Sequence, residues 1–111
     1  MTPKLLNADW NYWPEERPPA HIWASSKAIG FDGIELGVYD PGEQLSEERV
    51  GTYRVLAQSH DLPVAAVLYS MPPARWPDGG LGNPTAAPTA IAQAVETARV
   101  ASEAFGCTVL G

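Results

Sequence analysis

Short apolar runs alternate along the chain with longer amphipathic stretches, which is the pattern expected when strands alternate with helices. Residues 64–68 form a continuous apolar run, typical of a strand that is covered on both faces of a parallel sheet. Shorter apolar segments at residues 4–7, 33–36 and 107–110 predict three further strands. The pattern therefore predicts four strands in all.

The amphipathic stretches between these segments predict three helices. Pro18 and Pro19 suit the first turn of the first helix, where a missing N–H does no harm, and Gly30 favours its end. Ser46 is a good N-cap for the second helix, and residues 85–105 form the third. Helical spacing predicts buried positions at Ile22, Ser26 and Ile29, at Val50, Tyr53, Leu56 and Ala57, and at Ile91, Val95, Ala98, Ser102 and Phe105.

The resulting order, βαβαβαβ, predicts an α/β fold with parallel strands joined by right-handed crossovers. Two architectures have this order: a partial (βα)8 TIM barrel, and an open parallel α/β sheet. No Gly-x-Gly-x-x-Gly or Walker-type phosphate loop follows the first strand. Its absence from the sequence weakens the interpretation as a nucleotide-binding open sheet.

The second predicted strand contains an acid. Ile34 and Leu36 are predicted to point to one face of this strand, so Glu35 points to the other. Because a carboxylate in an apolar strand is costly to bury without partners, Glu35 needs either structural hydrogen bonds or a role at a polar site.

Composition limits the partners and the compartment. At 111 residues the chain is one domain or part of one. Its net charge of −6 argues against nucleic acid, because phosphate binding needs clustered Lys and Arg. The single cysteine, Cys107, excludes an internal disulfide and fits a reducing compartment, and no apolar run is long enough to span a bilayer. We therefore expect a cytoplasmic protein that binds neither nucleic acid nor a membrane.

Two segments resemble a known family. Residues 28–36 read Ala-Ile-Gly-Phe-Asp-Gly-Ile-Glu-Leu, and residues 98–110 end in Ala-Phe-Gly-Cys-Thr-Val-Leu. The first segment resembles the helix–Gly–aromatic–Asp–Gly–apolar–Glu–apolar signature of sugar phosphate isomerases/epimerases, in the xylose-isomerase-like TIM-barrel superfamily. The second is similar to that family's step into its fourth strand.

The resemblance implies that residues 1–111 are the N-terminal half of a barrel and a fragment of a longer protein, since a TIM barrel needs eight strands and about 250 residues. It implies metal-assisted proton transfer next to a carbonyl of a small sugar or hydroxy-acid. The family's metal ligands come from later strands. We therefore expect a divalent metal (Mn, Mg, Co or Zn) only in the full-length protein, none in this chain, and no activity of this chain alone.

The alternative function is a non-catalytic half-barrel module. Such a module self-associates as a homo-oligomer or pairs with a second chain that replaces the missing C-terminal half. The motivation is that the outer strands of half a barrel have unpaired edges, which favour association.

Five residues at predicted strand ends and in the loops after them are candidate substrate-binding residues: Glu35, Trp13, Tyr69, Arg75 and Trp76. In TIM barrels these ends carry the chemistry. Aromatic faces suit the C–H surface of a sugar, and Arg75 suits a phosphate or carboxylate in a loop that could close over the site. The structural alternatives are a hydrogen-bonded carboxylate at Glu35 and a hydrophobic plug at Trp13. For Tyr69 the alternative is ordinary loop packing, and for Arg75 a solvated surface position.

Overall fold

The computed structural model describes residues 4–12, 17–72 and 74–107. Within these ranges the chain has an α/β fold with a three-stranded parallel sheet and four α-helices. In chain order the elements are β1 (Leu6–Ala8), α1 (Pro19–Ile29), β2 (Gly33–Val38), α2 (Pro41–Gln44), α3 (Glu47–His60), β3 (Val64–Tyr69) and α4 (Ala87–Phe105). None of these helices combines the length and the apolar character needed to cross a bilayer.

The three strands lie side by side in the order β1-β2-β3, and both neighbouring pairs are parallel. Asn7 pairs with Ile34, and Leu36 pairs with Val67. The register between β2 and β3 shifts by one residue: Ile34 pairs with Val64 and the next residue, Glu35, pairs with Ala66. Ala65 is therefore an extra residue in β3. The predicted alternation of strands and helices and the parallel sheet are confirmed, and an open parallel α/β sheet describes these three strands.

The predicted fourth strand falls at residues 107–110, of which only Cys107 is described. Cys107 follows α4, and its Sγ lies 3.5 Å from the carbonyl oxygen of Val64 at the start of β3. Burial raises the pKa of the Cys107 thiol. Residues 108–110 lie outside the described residues, so a strand there stays a prediction.

The helices bury their side chains against one face of the sheet. In β2, Ile34, Leu36 and Val38 lie in a core shared with α1, α3 and α4. Glu35 alternates with them and is half-buried on the second face, as predicted. Half-buried residues of this second face are Leu6, Glu35, Ala66 and Leu68.

The expectation that β3 is covered on both faces is wrong for the described residues. Val64 and Val67 are 3% and 1% exposed in the core, whereas Ala66 and Leu68 are only half-buried. The reason is that the described helices contribute to the core on the opposite face.

Trp23 of α1 connects α1 to α3 and to the sheet. Its side chain is fully buried, and its ring stacks on Tyr53 of α3 with 5.6 Å between the ring centroids. The indole N–H donates a 2.9 Å hydrogen bond to the carbonyl oxygen of Leu62, just before β3. Trp23 thereby buries a large apolar ring while the only polar group of its side chain has a hydrogen-bond partner.

Local signals set most helix ends. Gly30 and Gly106 follow α1 and α4 in the left-handed conformation, with φ of 105° and 68°. The Ser46 hydroxyl accepts a hydrogen bond from the first turn of α3, as predicted. Residues 41–44, which precede the predicted second helix, form the additional single turn α2, and the Asp40 side chain caps its N-terminus.

Two predicted buried stripes are partly wrong. In α1, Ile22 and Ser26 are buried, but Ile29 is 70% exposed. In α4, Ile91 and Val95 are 53% and 63% exposed. The residues that α4 buries are Ala90, Thr97, Val100 and Ala101. Smaller side chains on this face let the helix lie close to the sheet, and the adjacent stripe of larger side chains then faces solvent.

Two identical substitutions test the face that α4 presents to the sheet. Ala101 is 3% exposed, so Ala101→Leu overfills the core and should lower the free energy of unfolding by about 1–3 kcal/mol. Ala92 lies on the exposed side of the same helix, so Ala92→Leu should change it by less than about 0.5 kcal/mol. Urea unfolding followed by tryptophan fluorescence measures both values. Equal effects of the two substitutions would show that the face is assigned wrongly.

Candidate functional site

All three strands end at the same edge of the sheet because they are parallel. The residues that directly follow β1, β2 and β3 are Asp9, Tyr39 and Ser70. The Ser70 N–H donates a 2.8 Å hydrogen bond to the carbonyl oxygen of Val38, which ties the ends of β2 and β3 together. Parallel α/β proteins bind their ligands at this carboxyl edge.

A cleft of about 390 Å³ opens at the carboxyl edge, between the beginnings of α1 and α3. It lies on the helix-covered side of the sheet, since the core residues Trp23, Leu36 and Tyr53 form part of its wall. We call it the edge cleft. Its other lining residues are Asp9, Tyr12, Arg17, Pro18, Pro19, Ile22, Tyr39, Glu43, Gln44 and Arg49. This volume is in the range of small-molecule binding sites.

Asp9 is a half-buried acid in the wall of the edge cleft. Its Oδ1 accepts a 2.8 Å hydrogen bond from the Gly37 N–H. Burial raises the pKa of Asp9 from 3.8 to about 6. The backbone N–H groups of Gly37 and Trp10 and the positive charge of Arg49 oppose this rise, whereas the negative charge of Glu35 adds to it. Asp9 therefore changes its charge close to neutral pH.

Gly37 permits the close approach that this hydrogen bond requires. A Cβ atom at Gly37 would lie 2.7 Å from the ring of Trp10, which is too short for a real contact. A larger residue would therefore displace Trp10 and, with it, the turn that carries Asp9.

Arg49 and Tyr53 are four residues apart on α3, so their side chains lie on the same face of the helix. Nη1 of Arg49 donates a 3.4 Å hydrogen bond to the Tyr53 hydroxyl oxygen. Burial raises the pKa of Tyr53, the charge of Arg49 opposes the rise, and the charge of Asp9 adds to it. The wall of the edge cleft therefore presents a guanidinium beside a neutral phenol.

A hydrogen-bond network holds Tyr12 at the edge cleft. Asn7 of β1 donates from Nδ2 to the Ser26 hydroxyl (2.9 Å) and to the Tyr12 hydroxyl (3.0 Å). The Tyr12 hydroxyl also lies 2.6 Å from the Ser25 hydroxyl, and Asn11 donates to Oδ1 of Asn7 at 2.8 Å. Among the described residues no buried side-chain polar atom lacks a partner. Moving the Tyr12 ring would therefore break the hydrogen bonds of its hydroxyl to both Asn7 and Ser25.

Of the five residues predicted to bind substrate, the four that the structure describes do not form one cluster. Glu35 lies on the second face of the sheet. Tyr69 ends β3, and its hydroxyl donates a 2.9 Å hydrogen bond to Oε1 of Gln93 on α4. Trp13 lies outside the described residues.

Arg75 is the predicted residue that approaches the edge cleft. Its Nη1 lies 3.0 Å from Oδ2 of Asp40, and its guanidinium lies 4.6 Å from the centroid of the Tyr39 ring, which lines the cleft. These contacts attach the loop after β3 to the end of β2. Trp76, the next residue, is half-buried, and its backbone N–H donates a hydrogen bond to the carbonyl oxygen of Pro72.

Asp9 and Arg49 were not predicted from the sequence as candidate site residues. The signal for Asp9 was its position two residues after the first apolar segment, because side chains that follow parallel strands meet at the carboxyl edge. The signal for Arg49 was its spacing of four from Tyr53 on a predicted helix. Arg17, beside Pro18 and Pro19, carries no comparable signal.

Comparison with protein-family models found no matching family, and no significant match was found among curated proteins or solved structures.

Replacing Asp9 should change how stability depends on pH. Because the pKa is higher in the folded state than in the unfolded chain, the folded state binds more protons between about pH 4 and pH 6, and stability falls as pH rises through this range. The full effect is at most about 3 kcal/mol. Asp9→Asn keeps an oxygen acceptor for the Gly37 N–H but cannot ionise. We expect it to be about 1–3 kcal/mol more stable than the parent protein at pH 7 and nearly equal to it at pH 3.5.

Urea unfolding between pH 3.5 and pH 8 measures this difference. Asp78→Asn, at an exposed loop position, is the matched control and should leave the pH profile unchanged. If Asp9→Asn raised the free energy of unfolding by the same amount at every pH, Asp9 would not titrate as described.

Proposed function

We propose that this chain supplies the N-terminal half of a (βα)8 barrel of the sugar phosphate isomerase/epimerase type, in which the second face of the sheet lines the barrel interior. The substrate class is a small sugar or hydroxy-acid, and the reaction of the complete barrel is proton transfer next to its carbonyl group. The observation that carries the proposal is the position of Glu35, in the middle strand and on the face opposite the helices.

The winding of the chain supports the barrel. The three strands are neighbours in chain order, and α1, α3 and α4 all contribute to the core on one face. In a barrel every crossover has this sense, so that the helices form the outer layer and the opposite strand face lines the interior. A doubly wound sheet instead reverses its strand order and carries helices on both faces.

The proposal assigns the binding of substrate hydroxyl groups to Glu35. Its neighbours Ile34 and Leu36 are anchored in the core, which fixes the backbone that carries it. In the register of the sheet it lies between Ala8 of β1 and Ala66 of β3. Both neighbours are small, and Glu35 is half-buried between them. In the proposal it accepts hydrogen bonds from the substrate.

A divalent metal in the full-length protein is implied by the family resemblance alone. Among residues 4–12, 17–72 and 74–107, no group of three or more His, Cys, Asp or Glu side chains is placed to hold a metal ion. These residues do not fit a metal site, and no step is assigned to a metal.

The coding sequence that follows residue 111 is the first test. We expect it to encode further strand–helix units with Glu, Asp and His at strand ends. In that longer protein, Glu35→Gln should lower kcat/KM for deuterium exchange next to the carbonyl of a ketose in D2O by about 10- to 100-fold, because a charged hydrogen-bond acceptor is lost. Glu47→Gln, exposed on α3, is the control and should have no effect. A downstream sequence without such units would rule out the proposal.

A second candidate function is a non-catalytic half-barrel that forms a homo-oligomer or pairs with a second chain. It is favoured by Ile91 and Val95, two large apolar residues one turn apart on α4 that are more than half exposed. Sedimentation equilibrium tests it. The module hypothesis predicts an oligomer that Val95→Gln weakens by about tenfold in dissociation constant, whereas a folded monomer without partners contradicts it.

A further inference from the structure

We propose that Asp78 is a site of spontaneous isomerisation to isoaspartate, through a cyclic succinimide that it forms with Gly79. The sequence has two Asp–Gly pairs, Asp32–Gly33 and Asp78–Gly79. The structure distinguishes them, because it ties the first pair into the sheet and leaves the second exposed in the loop between β3 and α4. This proposal does not depend on the proposed function.

The reaction needs no partner other than water. The backbone nitrogen of Gly79 attacks Cγ of the Asp78 carboxyl group, so that an N–Cγ bond forms, the Cγ–OH bond breaks, and the hydroxyl leaves as water with the amide proton. Water then opens the ring. Attack at Cγ restores aspartate, whereas attack at the backbone carbonyl carbon breaks its bond to the Gly79 nitrogen and leaves a main chain that runs through Cβ and Cγ. A glycine favours ring closure because it has no side chain to shield its nitrogen.

The Asp78–Gly79 pair has few contacts that oppose ring closure. Both residues are exposed, and the Asp78 carboxylate has no hydrogen-bond or ion-pair partner among the described residues. Apart from the chain neighbours of Gly79, no described atom lies within 4 Å of where its Cβ would be. The Gly79 N–H donates a 3.0 Å hydrogen bond to the carbonyl oxygen of Trp76. This bond closes an exposed turn, where local opening costs little.

The Asp32–Gly33 pair is held in place although the Asp32 side chain is also exposed. Oδ2 of Asp32 accepts a 2.9 Å hydrogen bond from the Leu5 N–H, and the Asp32 N–H donates a 2.7 Å hydrogen bond to the carbonyl oxygen of Leu5. Gly33 is buried at the start of β2, and a Cβ there would lie 2.9 Å from Cδ2 of Leu6. Ring closure at Asp32 therefore requires this end of the sheet to open.

Isomerisation at Asp78 lengthens a loop that is anchored on both sides. Before Asp78, Arg75 forms a 3.0 Å ion pair with Asp40 at the end of β2. After it, Gly80 is buried, and a Cβ there would lie 2.8 Å from Sδ of Met71. Isoaspartate adds one carbon to the main chain between these anchors. We therefore expect the isomerised chain to lose the hydrogen bond from Gly79 to Trp76.

Incubation of the folded 111-residue chain in H₂¹⁸O at neutral pH and body temperature tests the proposal. Each succinimide that opens incorporates one heavy oxygen, and electron-transfer fragmentation of the peptides separates isoaspartate from aspartate. The Asp78 peptide should acquire isoaspartate at least about tenfold faster than the Asp32 peptide, because two hydrogen bonds and the packing of Gly33 must open at Asp32. In concentrated urea, where the tertiary contacts are lost, the two peptides should react at similar rates.

Asp78→Glu is the matched control variant. It keeps the charge, but its longer side chain would have to close a six-membered ring, so its peptide should stay unlabelled in the folded chain. Equal rates at Asp32 and Asp78 in the folded chain would overturn the proposal. So would a folded chain whose Asp78 peptide stays unchanged during a period in which the urea sample forms isoaspartate there.

Discussion

The hydrogen bond from the Gly37 N–H to the Asp9 carboxylate holds the carboxyl edge of this sheet together. β1 has only three residues, and this bond extends its attachment to β2 beyond the last paired residues, Ala8 and Glu35. The cost is a carboxylate drawn partly out of water, which raises the pKa of Asp9 to about 6. The contact that closes the edge of the sheet therefore also creates an acid that titrates near neutral pH, as functional-site acids often do.

The position of the edge cleft depends on how α1 and α3 pack against each other. The stack of Trp23 on Tyr53 holds the two helices together, and the Trp23 hydrogen bond to Leu62 fixes the pair to the beginning of β3. Toward the carboxyl edge, Pro19 of α1 and Arg49 of α3 line the cleft. Arg49 precedes Tyr53 by one helical turn, so the same packing that buries Tyr53 brings the guanidinium to the edge.

Local signals allowed much of the fold to be predicted. Gly30, Ser46 and Gly106 act through the backbone around them, and strict alternation in β2 placed Glu35 opposite Ile34 and Leu36. The face of α4 could not be predicted in this way. Its stripe through Ile91 and Val95 and its stripe through Ala90, Thr97 and Ala101 both have helical spacing, and only packing against the sheet chooses between them. The site could not be predicted for a related reason. Asp9 and its hydrogen-bond partner Gly37 are 28 residues apart in sequence, so only the tertiary fold brings them together.

The titration of the Asp9 carboxyl carbon, followed by ¹³C NMR, tests most directly whether the carboxyl edge is built around a half-buried acid. We expect a midpoint near pH 6, and we expect the Gly37 amide signal to move with the same midpoint because the two groups are hydrogen-bonded. A midpoint near 3.8, with a Gly37 signal that does not follow it, would mean that Asp9 is solvated and that the edge is held by other contacts.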